Sequence, residues 1–170
     1  MIKKEVLEAI NEQINAESYS AYMYLSMAAF LENLGLSGFA HWMKIQYQEE
    51  AAHALKFFNY LVDRGGRVTL KAVDQVPVDF DGIVDVFEKT LVHENHVTDL
   101  INNLMTVAIK ANDHATQSFL KWFIDEQVEE ESNVEKILAT LKLIDGQGNG
   151  ILMLDRELSQ RVFVDPNLAV

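Results

Sequence analysis

Backbone breakers in this chain are few and clustered. Glycine and proline number only 8 and 2 in 170 residues. With short polar groups they fall at Gly35 with Gly38, at Gly65-Gly66, from Pro77 to Gly82, around Asn112-Asp113, and from Gly146 to Gly150. Between these marks apolar residues recur three and four apart rather than in alternation, which predicts four helices near 4–34, 37–64, 82–111 and 114–145. A helix of about 30 residues is roughly 45 Å long at 1.5 Å per residue, so the pattern suits an elongated bundle and not a globin-like cluster of short helices. Ser37, Asp81 and Asp113 stand where side-chain oxygens can cap the second, third and fourth helices, and Gly35, Gly65 and Gly146 stand where helices stop.

Connection lengths decide the topology. The joints after the first and third helices are only a few residues long, so each makes antiparallel neighbours of the helices it joins. The stretch GRVTLKAVDQVPVDFD, Gly66 to Asp81, would reach roughly 50 Å at about 3.3 Å per residue, the full length of a bundle. The second and third helices can therefore run parallel, joined by one long crossover. The expectation is one all-α domain over residues 1–170, a four-helix bundle with a short fifth helix near 150–161. Four helices already complete a bundle, so Ile151, Leu152, Met153 and Leu154 of ILMLDRELSQR pack either against a neighbouring subunit or back on their own bundle. The residues themselves leave both open.

The charge balance, 14 Lys and Arg against 26 Asp and Glu, gives a formal −12 at pH 7 and argues against nucleic acid, whose phosphates need clustered cations. Cations are the more natural partners. With no cysteine there is no thiolate zinc site, no iron–sulfur cluster and no disulfide, so any metal must be held by oxygen and imidazole. No uninterrupted apolar run approaches the roughly 20 residues that cross a bilayer, and the charged start MIKKEVLEAI is unlike a secretory signal, so a cytoplasmic protein without membrane partners is expected.

A heptad-like stripe laid on each helix is apolar except near the middle. The interruptions are Glu17 on the first helix, Glu50 with His53 on the second, Glu94 on the third, and Gln127 with Glu130 on the fourth. A single glutamate on such a stripe would be read as a misjudged register or a side chain reaching to water. Four at one level are not. Burying unpaired carboxylates costs several kcal/mol each, and none of these stripe positions carries a Lys or Arg, so the compensating cation must come from outside. Glu50 with His53 and Gln127 with Glu130 are both spaced i, i+3, which puts two ligating groups on one helix face. Hard oxygen with one nitrogen suits iron or manganese, tolerates zinc, and suits Cu(I) poorly. Two divalent ions would nearly balance four carboxylates.

From Glu5 onward the chain resembles bacterial-type non-haem ferritins. The motifs that carry the resemblance are N-A-E-x-x-x-A-Y-x-Y (Asn15 to Tyr24), E-E-x-x-H (Glu49 to His53), H-E-N (His93 to Asn95) and E-Q-x-E-E-E (Glu126 to Glu131). Inward Glu and Glu-x-x-His pairs are already known as the design of ferritin-like di-iron bundles. The resemblance implies a ferroxidase centre in which Glu17, Glu50 and His53 bind one iron, while Glu94, Gln127, Glu130 and the shared Glu50 serve a second. It implies that Tyr24 hydrogen-bonds to the centre or donates an electron. It also implies a third iron site at Glu49, Glu126, Glu129 and Glu130, although Glu49, Glu126 and Glu129 alone would read as a solvated acidic face.

Gln127 stands where bacterioferritins and rubrerythrin-like oxidases begin a second Glu-x-x-His, which implies a more loosely held second iron. Ala52 stands where bacterioferritins have their haem-binding methionine, so no haem is expected. The spacing of His41, His93, His96 and His114 suggests no ligand set, and Trp42 and Trp122 read as packing residues. The implied function is an iron-storage subunit that oxidises Fe(II) with O₂ or H₂O₂ and passes Fe(III) to a ferric mineral. Its home would be a hollow homo-oligomer of 24 subunits with the fifth helix at the fourfold axis. The competing readings are a di-iron or manganese–iron oxidase or peroxidase of the same fold without storage, and a purely structural bundle.

Overall fold

The computed structural model describes residues 2–168. Five helices follow one another in the chain: α1 (Lys4–Asn33), α2 (Ser37–Asp63), α3 (Ile83–Lys110), α4 (His114–Ile144) and α5 (Gly148–Leu158). There is no strand among the described residues. The first four form an all-α bundle, as the helical periodicity predicts.

Two apolar clusters divide the interior lengthwise. One gathers Val6 and Ile10 of α1, Phe57 and Leu61 of α2, Ile101 and Leu104 of α3, and Leu120 and Phe123 of α4. The other gathers Met27 and Leu31, Phe39 and Met43, Val86 and Phe87, and Val134 and Leu141 from the same helices. The first turns of α1 and α4 thus share an end with the last turns of α2 and α3. Helices α2 and α3 run parallel, and the chain must climb the whole bundle between them.

It climbs along α1. Asn11 holds the lower part, donating Nδ2 to the Arg67 carbonyl at 3.2 Å and accepting from the Thr69 amide at 2.7 Å. Ser26 Oγ donates to the Pro77 carbonyl at 2.6 Å higher up. Between these anchors, residues 69 to 77 run beside residues 11 to 26. An extended stretch of that length covers about 26 Å and the helical stretch about 22 Å, so the crossover is nearly taut. Val76 and Phe80 are its buried residues, with Phe80 against Phe30 at 5.1 Å between ring centroids.

Capping follows a different plan from the one expected. Asp113 caps α4, its carboxylate accepting from the Thr116 amide at 3.1 Å. Asp81 and Ser37 make no side-chain cap: the N-cap positions are Gly82 and Leu36. The open amides of α2 are satisfied from far along the chain, where Asp155 Oδ1 accepts from Gly38 N at 2.8 Å and Phe39 N at 3.0 Å. Gly38 makes that approach possible, since a Cβ there would lie 1.7 Å from the Asp155 carbonyl oxygen. Gly35, Gly65 and Gly146 take the left-handed conformation that turns the chain out of α1, α2 and α4, with φ of 76°, 71° and 73°.

Helix α5 starts two residues before the expected position and ends three residues earlier. One face folds back on its own bundle through buried Leu154 and Leu158, which join the cluster of Leu31 and Phe39. Leu152 and Met153 on the opposite side remain exposed.

Candidate metal centre

A polar belt separates the two apolar clusters. Glu17 and Ser20 of α1, Gln46, Glu50 and His53 of α2, Thr90 and Glu94 of α3, and Gln127 and Glu130 of α4 are all buried in it. No Lys or Arg is among the buried side chains of the described residues. The apolar layers on either side shield the belt from bulk solvent. Carboxylates here lose hydration and gain no internal counter-ion.

Glu17, Glu50 and His53 form the tightest part: one ligating atom from each lies within 4.8 Å of the other two, the only such group of three among the described residues. His53 Nδ1 is 3.4 Å from Glu50 Oε2. His53 also meets Trp122 and Phe123 edge to face, at 5.4 and 5.8 Å between centroids. Gln13, one turn before Glu17, donates Nε2 to Glu17 Oε1 at 2.8 Å, while Glu17 Oε2 is buried with no hydrogen-bond partner. Burial, then the charge of Glu50, pushes the Glu17 carboxyl well above the ordinary range. Burial, then Glu94, does the same to Glu50. Two facing carboxyls that both resist ionisation need a shared proton or a cation. The orphaned oxygen and the mixed oxygen and nitrogen donors fit a divalent ion.

Glu94 is the charged neighbour that acts most strongly on Glu50. Tyr24, fully buried, donates its hydroxyl to Glu94 Oε1. Gln127 Nε2 donates to the Glu94 carboxylate and to the Glu94 carbonyl, each at 3.2 Å. Burial first and Glu130 second push Glu94 up to about 8, against the opposing hydrogen bonds from Tyr24 and Gln127. Tyr24 is itself pushed well up, by burial and then by Glu94 and Glu50. It is therefore a neutral donor. Glu130 accepts from Gln46 Nε2 at 2.9 Å. The structure thus brings Glu17, Glu50, His53, Glu94, Gln127, Glu130 and Tyr24 into one belt.

Glu49, Glu126 and Glu129 occupy its rim. Glu49 and Glu126 are half-buried and Glu129 is exposed. Burial outweighs the neighbouring Arg161 and raises Glu49 to about 7, and burial also raises Glu126. Glu49 does not stand alone, because Arg161 Nη2 donates to its Oε2 at 2.6 Å. The purely solvated face that a run of acids suggests holds for Glu129, and not for Glu49.

Three supporting residues escape a reading for ligands. Gln13 sits i, i+4 from Glu17, a spacing that would have found it. Gln46 lies on the inward stripe four residues before Glu50, but an amide there looks like an ordinary core interruption. Arg161 follows α5 and has no local signal at all. Of the remaining histidines, His93 meets Ser20 Oγ at 2.7 Å and is pushed down to about 4 by burial and then by His96, while His41 meets the Arg161 carbonyl at 2.8 Å. Trp42 packs on Phe87 at 5.5 Å.

Residues 7–144 match the ferritin-like domain family. A bacterial non-heme ferritin of Bacteroides fragilis is 43% identical over 161 residues, covering 95% of this chain and all of that protein. One from Staphylococcus aureus is 39% identical over 163 residues, covering 96% and 98%. The crystal structure of an open pore ferritin from the hyperthermophilic archaeon Archaeoglobus fulgidus superposes with a TM-score of 0.94 at 46% identity, covering 95% of this chain and 100% of that one. A form of that ferritin engineered to be closed superposes with a TM-score of 0.95 at the same identity. With the motifs, the bundle and the buried carboxylate belt in agreement, the chain belongs to the ferritin family.

Proposed function

We propose that the chain is an iron-storage subunit of the cytoplasm that oxidises Fe(II) inside its own bundle and passes Fe(III) to a ferric mineral held in a hollow homo-oligomer of 24 subunits. The observation that carries this reading is the buried belt of four carboxylates with no buried Lys or Arg among the described residues and an orphaned oxygen on Glu17. Fe(II) is both substrate and cargo. Glu17, Glu50 and His53 bind one ion, and Glu94, Gln127 and Glu130 bind the second, with Glu50 between them. Each ion gives up one electron and O₂ or H₂O₂ accepts the pair.

The protein's part is charge and position. Anionic oxygens stabilise the harder Fe(III) more than Fe(II), which favours oxidation. Gln13 and Gln46 each hold one oxygen of Glu17 and Glu130 by an amide donor, leaving the other oxygen of each for metal. Tyr24 keeps its own proton, directs it at Glu94 Oε1, and stands close enough to supply an electron. Gln127, a neutral amide where related di-iron proteins have the glutamate of a second Glu-x-x-His, holds its ion weakly and so favours release. Glu49, Glu126 and Glu129 offer departing iron a third position on the rim.

Aerobic titration of the metal-free protein with Fe(II) tests the proposal. Fe(III) absorbance should rise faster than in buffer, and the iron should co-elute with a large particle on size-exclusion chromatography. Replacing Glu17 and Glu50 with Gln and Glu130 with Ala should return oxidation to the buffer rate. Oxidation by a small oligomer that retains no iron would instead favour a non-storing di-iron or manganese–iron oxidase or peroxidase. Oxidation at the buffer rate by the unaltered protein would contradict both.

A further inference from the structure

Arg161 is a cation brought to the carboxylate belt by a distant part of the chain. It lies three residues beyond the end of α5, and its guanidinium covers the Trp42 ring with Cζ 4.6 Å from the centroid. Nη2 donates to Glu49 Oε2 at 2.6 Å and Nη1 donates to Gln46 Oε1. The segment that carries it is fastened to α2: Lys56 Nζ donates to the Pro166 carbonyl and Asn167 Nδ2 donates to the Ala52 carbonyl, each at 3.1 Å. The guanidinium is thus held in place from outside the four-helix bundle.

Its chemistry constrains two neighbours. A guanidinium only donates, so the Gln46 carbonyl must face Arg161 and the Gln46 amide must face Glu130. Arg161 thereby fixes, through one side chain, the oxygen of Glu130 that accepts at 2.9 Å. At Glu49 it acts directly, because a carboxylate oxygen bound to a guanidinium cannot take a divalent ion at ligand distance without setting two cations against each other. The Glu49 that the proposed third iron site requires already holds a positive charge.

We propose that Arg161 is a tethered competitor for the third iron site, holding Glu49 until an incoming divalent ion displaces it. This rests on the iron-binding reading given above. It makes the rim position weak by design, so iron leaving the two inner positions passes over Glu49 without being trapped there. It also links that passage to Glu130, since Gln46 loses its fixed orientation when Arg161 swings away. Arg161 is a positioning residue and touches no inner ligand directly.

Anaerobic Co(II) titration of the full-length protein, read by visible absorption and by bound metal after equilibrium dialysis, separates the two inner sites from a weaker third. Arg161→Met should tighten the third site about tenfold, the scale of one charge-assisted hydrogen bond, and leave the affinity of the Glu17, Glu50 and His53 site within about twofold. Arg161→Lys, which keeps the charge on Glu49, should bind the third ion nearly as wild type does. In a Glu49→Gln background, Arg161→Met should change nothing. Two inner sites with a third site that is unaffected by Arg161→Met would overturn this role of Arg161 alone, as would equal tightening in the Glu49→Gln background. A wild-type protein that binds no Co(II) in the bundle would overturn the iron-binding reading and this proposal together.

Discussion

Glu94 holds a proton in the folded protein that the unfolded chain gives up. Its carboxyl is raised from 4.5 to about 8, burial and the charge of Glu130 outweighing the hydrogen bonds from Tyr24 and Gln127. A raised folded value means that its contribution to stability is full below about 4.5 and is lost as pH rises towards 8. Denaturant titrations of the metal-free protein should therefore show falling stability between pH 5 and pH 8.5. Glu94→Gln, with no proton to lose, should show a shallower fall and gain on wild type at the higher pH by an amount of order a few kcal/mol. Loss of stability by the variant at pH 8.5 would contradict the buried, protonated Glu94. In the proposed iron-bound state the balance would reverse, because a divalent ion would take the place of the proton held at Glu94. Calorimetry at pH 7 in two buffers of different ionisation heat should detect proton release as the inner sites fill.

Helix by helix, the chain is locally consistent, and its less legible features are those made by partners far apart in sequence. Asp155 of α5 closes the first turn of α2 in place of Ser37, with Gly38 as the point of close approach. Asp155→Ala should cost about 1 kcal/mol, the usual worth of an N-cap, and loosen α5, detectable as faster amide exchange at Gly38 and Phe39. Gly38→Ala should displace α5 outright, since a methyl group there meets backbone rather than a yielding side chain. Glu17, Glu50, Glu94 and Glu130 were readable because helical periodicity puts each on an apolar stripe and chain reversal puts them at one level. The length of the crossover allowed the parallel course that α2 and α3 take. Arg161, Gln46 as its relay, and the cap from Asp155 were not, because no local period or motif encodes a contact between residues more than a hundred positions apart. Asp81 misled for a local reason: Gly82 takes the N-cap position, and the Asp81 amide turns to the Asp85 carboxylate at 3.0 Å.

Across the whole molecule, a formal charge of −12 resolves into a buried belt and an acidic surface. Exposed pairs such as Lys44 with Glu32 and Lys142 with Glu88 contribute little to stability, and the surface excess acts mainly as a field that draws in cations. No helix among the described residues is long and apolar enough to cross a membrane. The exposed side of α5 gives the proposed assembly a place to form. Replacing Leu152 and Met153, 54% and 73% exposed, with Glu should shrink the particle seen by light scattering and leave the helical content of the subunit intact. An unchanged particle would exclude α5 from the assembly contacts. Whether the carboxylate belt takes two metal ions per subunit can be seen by anomalous diffraction at the iron edge from crystals loaded with Fe(II) without oxygen. Two peaks should appear within each bundle, one among Glu17, Glu50 and His53 and one among Glu50, Glu94, Gln127 and Glu130. A bundle interior without anomalous density, in crystals that carry iron on their surface, would contradict the binding of two ions by the belt.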